Sequence, residues 1–313
     1  MAGEFSPTNS ITNTTGAAFV PEIWSDEIVA AYKKSLVAAN LFKKMAFKGK
    51  KGDTVNIPVP TRGTANLKAS EAQVTLNSTS SSLIPVLIDK HYEYSNLIED
   101  ITEVQALSSL RRFYTEDAGY ALAKQVDTNL IQLGRGFNGG SGTAAYTGAY
   151  IGSNGTTLYD STAGAGAGNA AALTDAAIRR TIQRLDDADV PMEGRFFIIP
   201  PSARNTLMGL DRYTEQAFVG EVGGNNTIRN GEIGNLYGIP VFVSSNADTA
   251  TGTAGVRVAL MGHRDAAVLV EQMGVRSQTQ YKQEYLATLY TADTLYGVKE
   301  LRDNAAFALA VPA

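Results

Sequence analysis

One apolar pattern constrains the fold more than any other, a run with helical period between Asp100 and Gly134. Asp100 is a good N-cap with Glu103 three residues on, which is the spacing of a capping box, and Gly134 supplies a stop. The apolar positions follow at steps of three and four: Leu107, Leu110, Tyr114, Ala118, Leu122, Val126, Leu130 and Leu133. At 1.5 Å per residue this helix is roughly 50 Å long. Because that exceeds the diameter of a small domain, we expect an elongated fold built along it.

A β excursion precedes the predicted helix. Thr54–Val59 alternates with period two, as a half-buried strand does, and Leu83–Tyr94 is again strand-like. Pro58 and Pro60 lack an N–H, which restricts the first strand to a sheet edge or a free-standing hairpin. The connection between the strands is largely polar, and an isolated hairpin is only marginally stable in water. We therefore expect residues 50–95 to have little core of their own and to rest on another chain.

The rest of the chain alternates helical and strand-like segments. Residues 1–18 are too polar to order on their own, and one or two helices are predicted over 21–47. Residues 135–170 form a Gly-rich loop with three candidate anchors, Tyr146, Tyr150 and Tyr159. Further elements are a short strand at 73–76, helices at 174–189 and 202–210, and strands at 195–199, 239–244, 256–261, 266–271 and 305–311. This order indicates an α+β fold rather than a doubly wound sheet.

The composition limits the classes of function. Only 19% of the 313 residues are charged, against about 25% in typical proteins, which suggests that other subunits cover much of the surface. The net charge of −4 gives no electrostatic footprint for nucleic acid. The absence of cysteine excludes disulfides, thiolate catalysis and cysteine-based zinc sites. We expect neither a signal peptide nor a membrane span.

Chemical motifs are weak throughout. His91 and His263 each stand alone, without the spacing of a zinc or catalytic motif. Residues 166–171 imitate a dinucleotide-binding fingerprint, but no strand precedes them. A cluster of carboxylates lacks the spacing of an EF-hand and is interpreted as a solvated helix end: Asp186, Asp187, Asp189 and Glu193. We predict no enzyme and no catalytic, cofactor-binding or metal-binding residue.

One basic run precedes the β excursion: Lys43, Lys44, Lys48, Lys50 and Lys51. As a nucleic-acid contact it lacks interleaved aromatic residues, apart from Phe42 and Phe47. We interpret it as a charged hinge at the base of the excursion. The acidic tract Glu99, Asp100 and Glu103 of a neighbour is one possible counterpart.

The order of these parts resembles the major capsid proteins of tailed bacteriophages, the family with the Hong Kong 97-type fold. Local segments support the resemblance. Gly231–Ser244 is similar to a Gly-x-Pro-Val segment of the family's axial domain, and Arg195–Ser202 to the strand, proline and short helix upstream of it. Val298–Ala306 resembles the closing strand region. The order and spacing of these weak motifs carry the likeness, which covers nearly the whole chain, although the Gly-rich insert has no clear counterpart.

The resemblance implies a domain organisation. An N-terminal arm and helix would cover residues 1–48, and an extended β-hairpin loop residues 49–98. The peripheral domain, with the long spine helix and a sheet, would comprise residues 99–135 and 266–313. The axial domain would cover residues 136–265.

It also implies a function and partners. The chain would form hexamers and pentamers that build an icosahedral shell around packaged double-stranded DNA, without sequence-specific binding and without a membrane. Scaffolding protein, portal and possibly a decoration protein are the implied partners, with assembly in the host bacterial cytoplasm and the virion as destination. An encapsulin-like bacterial compartment of the same fold, loading a cargo enzyme, is the alternative. Lys68, near the tip of the excursion, is a candidate for an isopeptide bond to an asparagine of a neighbour, although a noncovalent shell is the default expectation.

Overall fold

The computed structural model describes residues 36–47, 52–60, 63, 65–71, 73–74, 76–77, 81–100, 109–142, 146–163, 168–210, 234–250 and 255–313. The helices are α1 (Ala38–Leu41), α2 (Ser109–Gln132), α3 (Asp175–Asp187) and α4 (Pro201–Met208). The first strands are β1 (Lys43–Ala46), β2 (Thr54–Pro60), β3 (Ser81–Leu87), β4 (Lys90–Glu99), β5 (Tyr150–Ile151) and β6 (Arg195–Ile199). The later strands are β7 (Asn235–Leu236), β8 (Ile239–Val243), β9 (Val256–His263), β10 (Ala267–Lys282), β11 (Ala287–Glu300) and β12 (Ala306–Pro312). The predicted α+β class is confirmed.

The described strands form three sheets. A six-stranded sheet has the order β5-β12-β9-β6-β8-β7, and a four-stranded sheet has the order β1-β10-β11-β4. The third sheet is the isolated pair β2-β3. All five residues of β6 are buried, as expected of an apolar run in the middle of a sheet.

The long helix is confirmed over its described part. Helix α2 continues into a 3-10 turn at Leu133–Arg135, and its 24 residues alone span ~36 Å. Three residues of the predicted apolar stripe, Ala118, Leu122 and Leu130, are buried against the rest of the fold. The first turns that follow the predicted N-cap Asp100, residues 101–108 with Glu103 and Leu107, lie outside the described residues.

The smaller helices follow their local signals. Thr174 caps α3 by accepting a hydrogen bond from the Ala177 N–H, which satisfies one of the free amides of the first turn. Pro201 occupies the first turn of α4, where its missing N–H costs nothing. Tyr146 and Tyr159 are buried, which confirms them as anchors of the Gly-rich loop, and Tyr150 lies in β5.

One predicted helix differs in kind. The helix predicted up to residue 47 ends at Leu41, because Lys43–Ala46 pairs in parallel with Val268–Glu271 as β1. The tail after Gly274 is a long hairpin, β10–β11, paired from Ala267↔Glu300 to Lys282↔Ala287. The predicted strand at 73–76 lies outside any strand in its described residues.

Two strands also have partners that differ from the expectation. Residues 90–98, assigned to the loop 49–98, lie in β4 and pair with β11 in the four-stranded sheet. The last strand, expected in the peripheral sheet with residues 266–313, pairs instead with β9 and β5 in the six-stranded sheet. Residues Ala306–Val311 are buried throughout, which suits a strand covered on both faces.

Candidate assembly surfaces

The β2–β3 hairpin is a two-stranded arm with proline on both strands. Its register runs from Thr54↔Leu87 to Pro60↔Ser81, and Pro58, Pro60 and Pro85 all fall in the same alternating set of pairs. The prolines of this set have no N–H to donate. The ladder keeps its hydrogen bonds only if this set forms the non-hydrogen-bonded pairs, in which backbone N–H positions point away from the partner strand. Both outer edges of the hairpin are therefore poor templates for a further strand. Among the described strands, β2 and β3 pair only with each other, which agrees with the prediction of a sheet edge or a free-standing hairpin.

The base of this hairpin is anchored on its own subunit. Val86 and Ile88 are buried against Val268 and Val270 of β10. Nearby, the Gln272 side chain donates a hydrogen bond of 3.0 Å to the Gly52 carbonyl. The expectation that the whole excursion has little core is thus wrong at its base. There, Val86 and Ile88 cover the two valines of β10.

The tip of the hairpin is different, because every described residue from 63 to 77 is exposed. Leu67, Val74 and Leu76 are 102%, 62% and 88% exposed. The described part of the subunit therefore leaves three apolar side chains of the tip uncovered. The tip is held together by a 2.9 Å hydrogen bond from the Asn66 amide to the Asn77 amide oxygen.

The distal half of the β10–β11 hairpin carries an ion cluster. Arg276 donates two hydrogen bonds of 2.9 Å to Asp293, and the His91 Nε2 lies 3.1 Å from the same carboxylate. Bidentate geometry of this kind is the strong form of a charge-assisted pair. Hydrogen bonding to Arg276 is the main cause that lowers the pKa of Asp293.

We expect Asp293 to make the stability of the fold depend on pH in the acid range. The pKa of Asp293 is lower in the folded state than in the unfolded state, where it is near 3.9. The carboxylate therefore stabilises the fold fully above the unfolded-state pKa, and this stabilisation is lost as the pH falls through the folded-state pKa. Thermal unfolding between about pH 5 and pH 2 should show this loss in the natural chain. Asp293→Asn should have a lower melting temperature at neutral pH and a flatter acid dependence.

Glu99→Gln is the control for the loss of one carboxylate, since Glu99 is an exposed carboxylate at the far end of β4. An acid dependence in Asp293→Asn as steep as that of the natural chain would contradict the assignment.

A buried polar joint connects α2 to two other parts of the subunit. Asp127 is fully buried and accepts hydrogen bonds from the Ala38 N–H (2.7 Å) and from the Asn246 amide (2.9 Å). Two residues further along α2, Asn129 donates to the Tyr296 hydroxyl at 2.8 Å. This joint was not predicted from the sequence, although Asp127 lies three residues before Leu130 and hence on the buried face.

A second joint fixes the end of α2. Arg135 pairs with Asp248 through hydrogen bonds of 2.8 and 3.1 Å, and the Tyr146 hydroxyl donates to the same carboxylate at 2.8 Å. Burial, followed by the charge of Asp248, raises the pKa of Tyr146 well above its usual value. The Gly-rich loop is thereby tied to the spine and to the loop after β8.

The two histidines have structural partners. The His263 Nε2 lies 2.8 Å from the Glu193 carbonyl, and its Nδ1 accepts a hydrogen bond from the Asp265 N–H. Because one ring nitrogen accepts from an amide, the other carries the proton and donates it to the carbonyl. His91 belongs to the Asp293 cluster. The structure brings the two histidines to different sheets.

The acidic cluster is exposed, and one member has a specific role. Asp186 lies 2.7 Å from the Arg195 guanidinium, which is itself buried at the start of β6. Asp187, Asp189 and Glu193 are exposed at the end of α3 and beyond it. In the described part of the chain, no group of acidic or histidine side chains is arranged to hold a metal ion.

The remaining sequence candidates are placed only in part. Lys43 lies 3.8 Å from Asp265 of its own chain, and Lys44 donates to Asn40. Asp100 accepts a 2.7 Å hydrogen bond from the Tyr281 hydroxyl rather than from a lysine. Lys68 bonds the adjacent Ala69 carbonyl at 3.4 Å.

Several candidates lie outside the described residues: Lys48, Lys50, Lys51, Glu103 and residues 166–167 of the glycine motif. Within the described helices, none has the length and apolar character needed to cross a membrane.

Comparison with known proteins gives consistent results. A family model described as "Phage capsid protein" matches residues 100–307. The fold is similar to a solved chain of Mycobacterium phage Che8, with a TM-score of 0.72, 25% identity, and coverage of 93% of this chain and 97% of that one. No protein with a curated description matches the sequence.

Two further solved structures share the fold. The capsid structure of Cyanophage P-SCSP1u has a TM-score of 0.72 at 19% identity, covering 95% of this chain and 94% of that one. The mature capsid of bacteriophage PhiM1 has a TM-score of 0.69 at 14% identity, covering 93% and 92%.

These findings agree with the architecture above. The long helix α2, the projecting β2–β3 hairpin and the two larger sheets are the parts expected from the Hong Kong 97-type resemblance. The family match favours a phage shell over an encapsulin-like compartment. The chain therefore belongs to the phage capsid protein family and is a major capsid protein, a structural component of an icosahedral phage shell.

Proposed function

We propose that this capsid protein forms hexamers and pentamers that close around the double-stranded DNA of a tailed phage. The observation that carries the proposal is the hairpin tip, which exposes Leu67, Val74 and Leu76 while its base is anchored on β10. A rigidly held arm with an uncovered apolar end requires a neighbouring subunit at a fixed position. Copies repeated around a local symmetry axis supply one.

The proposed division into domains follows the sheets. An N-terminal arm would cover residues 1–48 and the extended loop residues 49–98. The four-stranded sheet with α2 supports a peripheral lobe built from residues 99–135 and 266 onward. The six-stranded sheet, formed largely by residues 136–265, supports an axial lobe near the capsomer axes. We place β12 with the axial lobe because of its pairing.

The proposed partners beyond further copies of the chain are a scaffolding protein, a portal and possibly a decoration protein. The net charge of −4 supports enclosure of DNA without sequence-specific binding. We propose assembly in the host bacterial cytoplasm, which suits a chain without cysteine. We also propose a shell without isopeptide bonds. We propose that the chain has no enzymatic activity, because both histidines are engaged in structural hydrogen bonds.

Electron microscopy of the purified full chain, together with light scattering, tests the assembly proposal. We expect capsomers or closed shells at micromolar concentration. A uniform monomer at high concentration, across a wide range of salt, would show that the chain does not assemble by itself.

A further inference from the structure

A cavity lies at the end of α2, where three parts of the chain meet. It has a volume of about 320 Å³ and is lined by the last turn of α2, by the glycine-rich segment that follows and by the end of β11. At ~30 Å³ per water molecule, this is room for a small organic molecule rather than for a single water. Ser141 and Gly142 line the cavity and are exposed, so it opens to solvent.

Glu300 supplies negative charge to the cavity. It is the last residue of β11, a strand whose side chains alternate between the two faces of the sheet. Glu300 therefore lies on the same face as Val298, which packs against the main core. Lys299 also lines the cavity, but its register partner Val268 belongs to the separate cluster at the base of the β2–β3 hairpin, so the lysine side chain points to the opposite face. The half-buried carboxylate is thus not neutralised by its neighbour in sequence.

Two polar side chains in the cavity have no partner within the described part of the chain. The Glu300 carboxylate and the Gln132 amide make no hydrogen bond or ion pair with any described residue. The guanidinium of nearby Arg135 is engaged by Asp248. The carboxylate rests instead on Gly136, where a Cβ would collide with its Oε2. A half-buried carboxylate and an amide are therefore available to a ligand.

The lining of the cavity suits an alkylammonium group. An ammonium can donate to the Glu300 carboxylate and also to the amide oxygen of Gln132. Leu133 and Val298 supply an apolar wall for the methylene groups of such a ligand. A hard metal cation fits less well, because it requires several oxygen ligands and the cavity offers a single carboxylate.

We propose that this cavity binds a primary alkylammonium group, with the Glu300 carboxylate as counter-ion and the Gln132 amide as a second acceptor. Two sources carry this chemistry, a free linear polyamine and a lysine side chain of a second copy. A group bound here contacts α2, β11 and the glycine-rich segment at once and so links the two larger sheets. The inference goes beyond the proposed assembly and does not depend on it.

Titration calorimetry of the full chain with cadaverine, a linear diamine, tests the site. We expect saturable binding of one diamine per chain and no binding of the diol with the same carbon chain, which lacks the charge. Glu300→Gln should weaken the affinity about tenfold, because it removes the charge and keeps the shape. Equal affinity in the natural chain and in Glu300→Gln, or equal binding of diamine and diol, would overturn the inference.

Glu284→Gln is the matched control for the loss of one negative charge. Glu284 is an exposed carboxylate in the turn between β10 and β11, away from the cavity. This variant should bind cadaverine as the natural chain does. Equal weakening in Glu284→Gln and Glu300→Gln would show a general effect of charge and overturn the site.

Gly136→Ala tests the position of the carboxylate at constant charge. The backbone at Gly136 is right-handed helical, so alanine is tolerated there, but its Cβ displaces the Glu300 Oε2. We expect a melting temperature close to that of the natural chain and weaker binding of cadaverine. Natural affinity in this variant would overturn the assignment of Glu300.

Carbodiimide cross-linking of assembled shells distinguishes the two sources of the ammonium group. A lysine of a second copy in the cavity becomes joined to Glu300, which gives dimers on denaturing gels that are absent from Glu300→Gln. Monomers alone, together with binding of cadaverine to the shells, identify a free polyamine as the occupant. Shells that show neither the cross-link nor the binding would overturn the inference.

Discussion

Replacing Arg62–Thr79 by an Asn-Gly turn should give a subunit that folds normally and does not form shells. Pro60↔Ser81 is the last described pair of the hairpin, and in the shortened chain two residues join positions 61 and 80, which follow it. Asn-Gly suits a two-residue hairpin turn of this kind. The buried base, Val86 and Ile88, is untouched. The melting temperature should therefore change little.

Assembly should fail because every subunit loses the same contact. A loss of ~1 kcal/mol per contact weakens one association step about fivefold, and a closed shell repeats that loss over many contacts. Circular dichroism melting and sedimentation on the same preparation measure the two effects separately. Normal shells from the shortened chain would refute a bridging role, and a collapsed melting curve would place the tip in the subunit core.

A Gly-Ser segment of the same length as Arg62–Thr79 is the matched control for chain length. It keeps the spacing between β2 and β3 but removes Leu67, Val74 and Leu76. We expect this variant also to fold and to fail in assembly. Assembly with the Gly-Ser segment, combined with failure of the short turn, would mean that length matters and the apolar side chains do not.

The elements that could be predicted from sequence are those whose own residues specify them. Helix α2 repeats its apolar stripe over many turns, and β2 combines strict alternation with prolines that limit its pairing. The exposure of the hairpin tip was predictable for the same reason, because the polar residues of the tip cannot form a core. In each case the local sequence pattern was sufficient for the prediction.

The elements that could not be predicted depend on distant partners. Lys43–Ala46 has four exposed side chains and becomes a strand because β10 offers backbone groups beside it. The apolar run of β12 shows that it is buried but does not say in which sheet. Asp127 is buried because Ala38 and Asn246, far away in sequence, supply its donors. Tertiary context decides such cases.

Leu122→Asp should prevent folding rather than merely assembly. Leu122 is 2% exposed and packs with Ala118 and Ala292, beside Tyr92, Tyr94 and Tyr290, where α2 covers the four-stranded sheet. An unpaired carboxylate at this position loses its hydration without gaining a partner, at a cost of several kcal/mol. That cost is a large fraction of the total stability of a typical domain. We expect insoluble protein in place of soluble subunits.

Ala123→Asp is the matched control, because residue 123 is the next position on α2 and is exposed. The two variants introduce the same side chain into the same helix, so the change in net charge is equal. The loss of helix propensity is at least as large in Ala123→Asp, because alanine has the highest helix propensity. Ala123→Asp should give normal yield and a melting curve close to that of the natural chain. Soluble, normally melting Leu122→Asp would mean that this face of α2 is not buried. Loss of folding in both variants would instead point to helix propensity, whereas loss in Leu122→Asp alone identifies burial of the spine against β4 and β11 as the source of the effect.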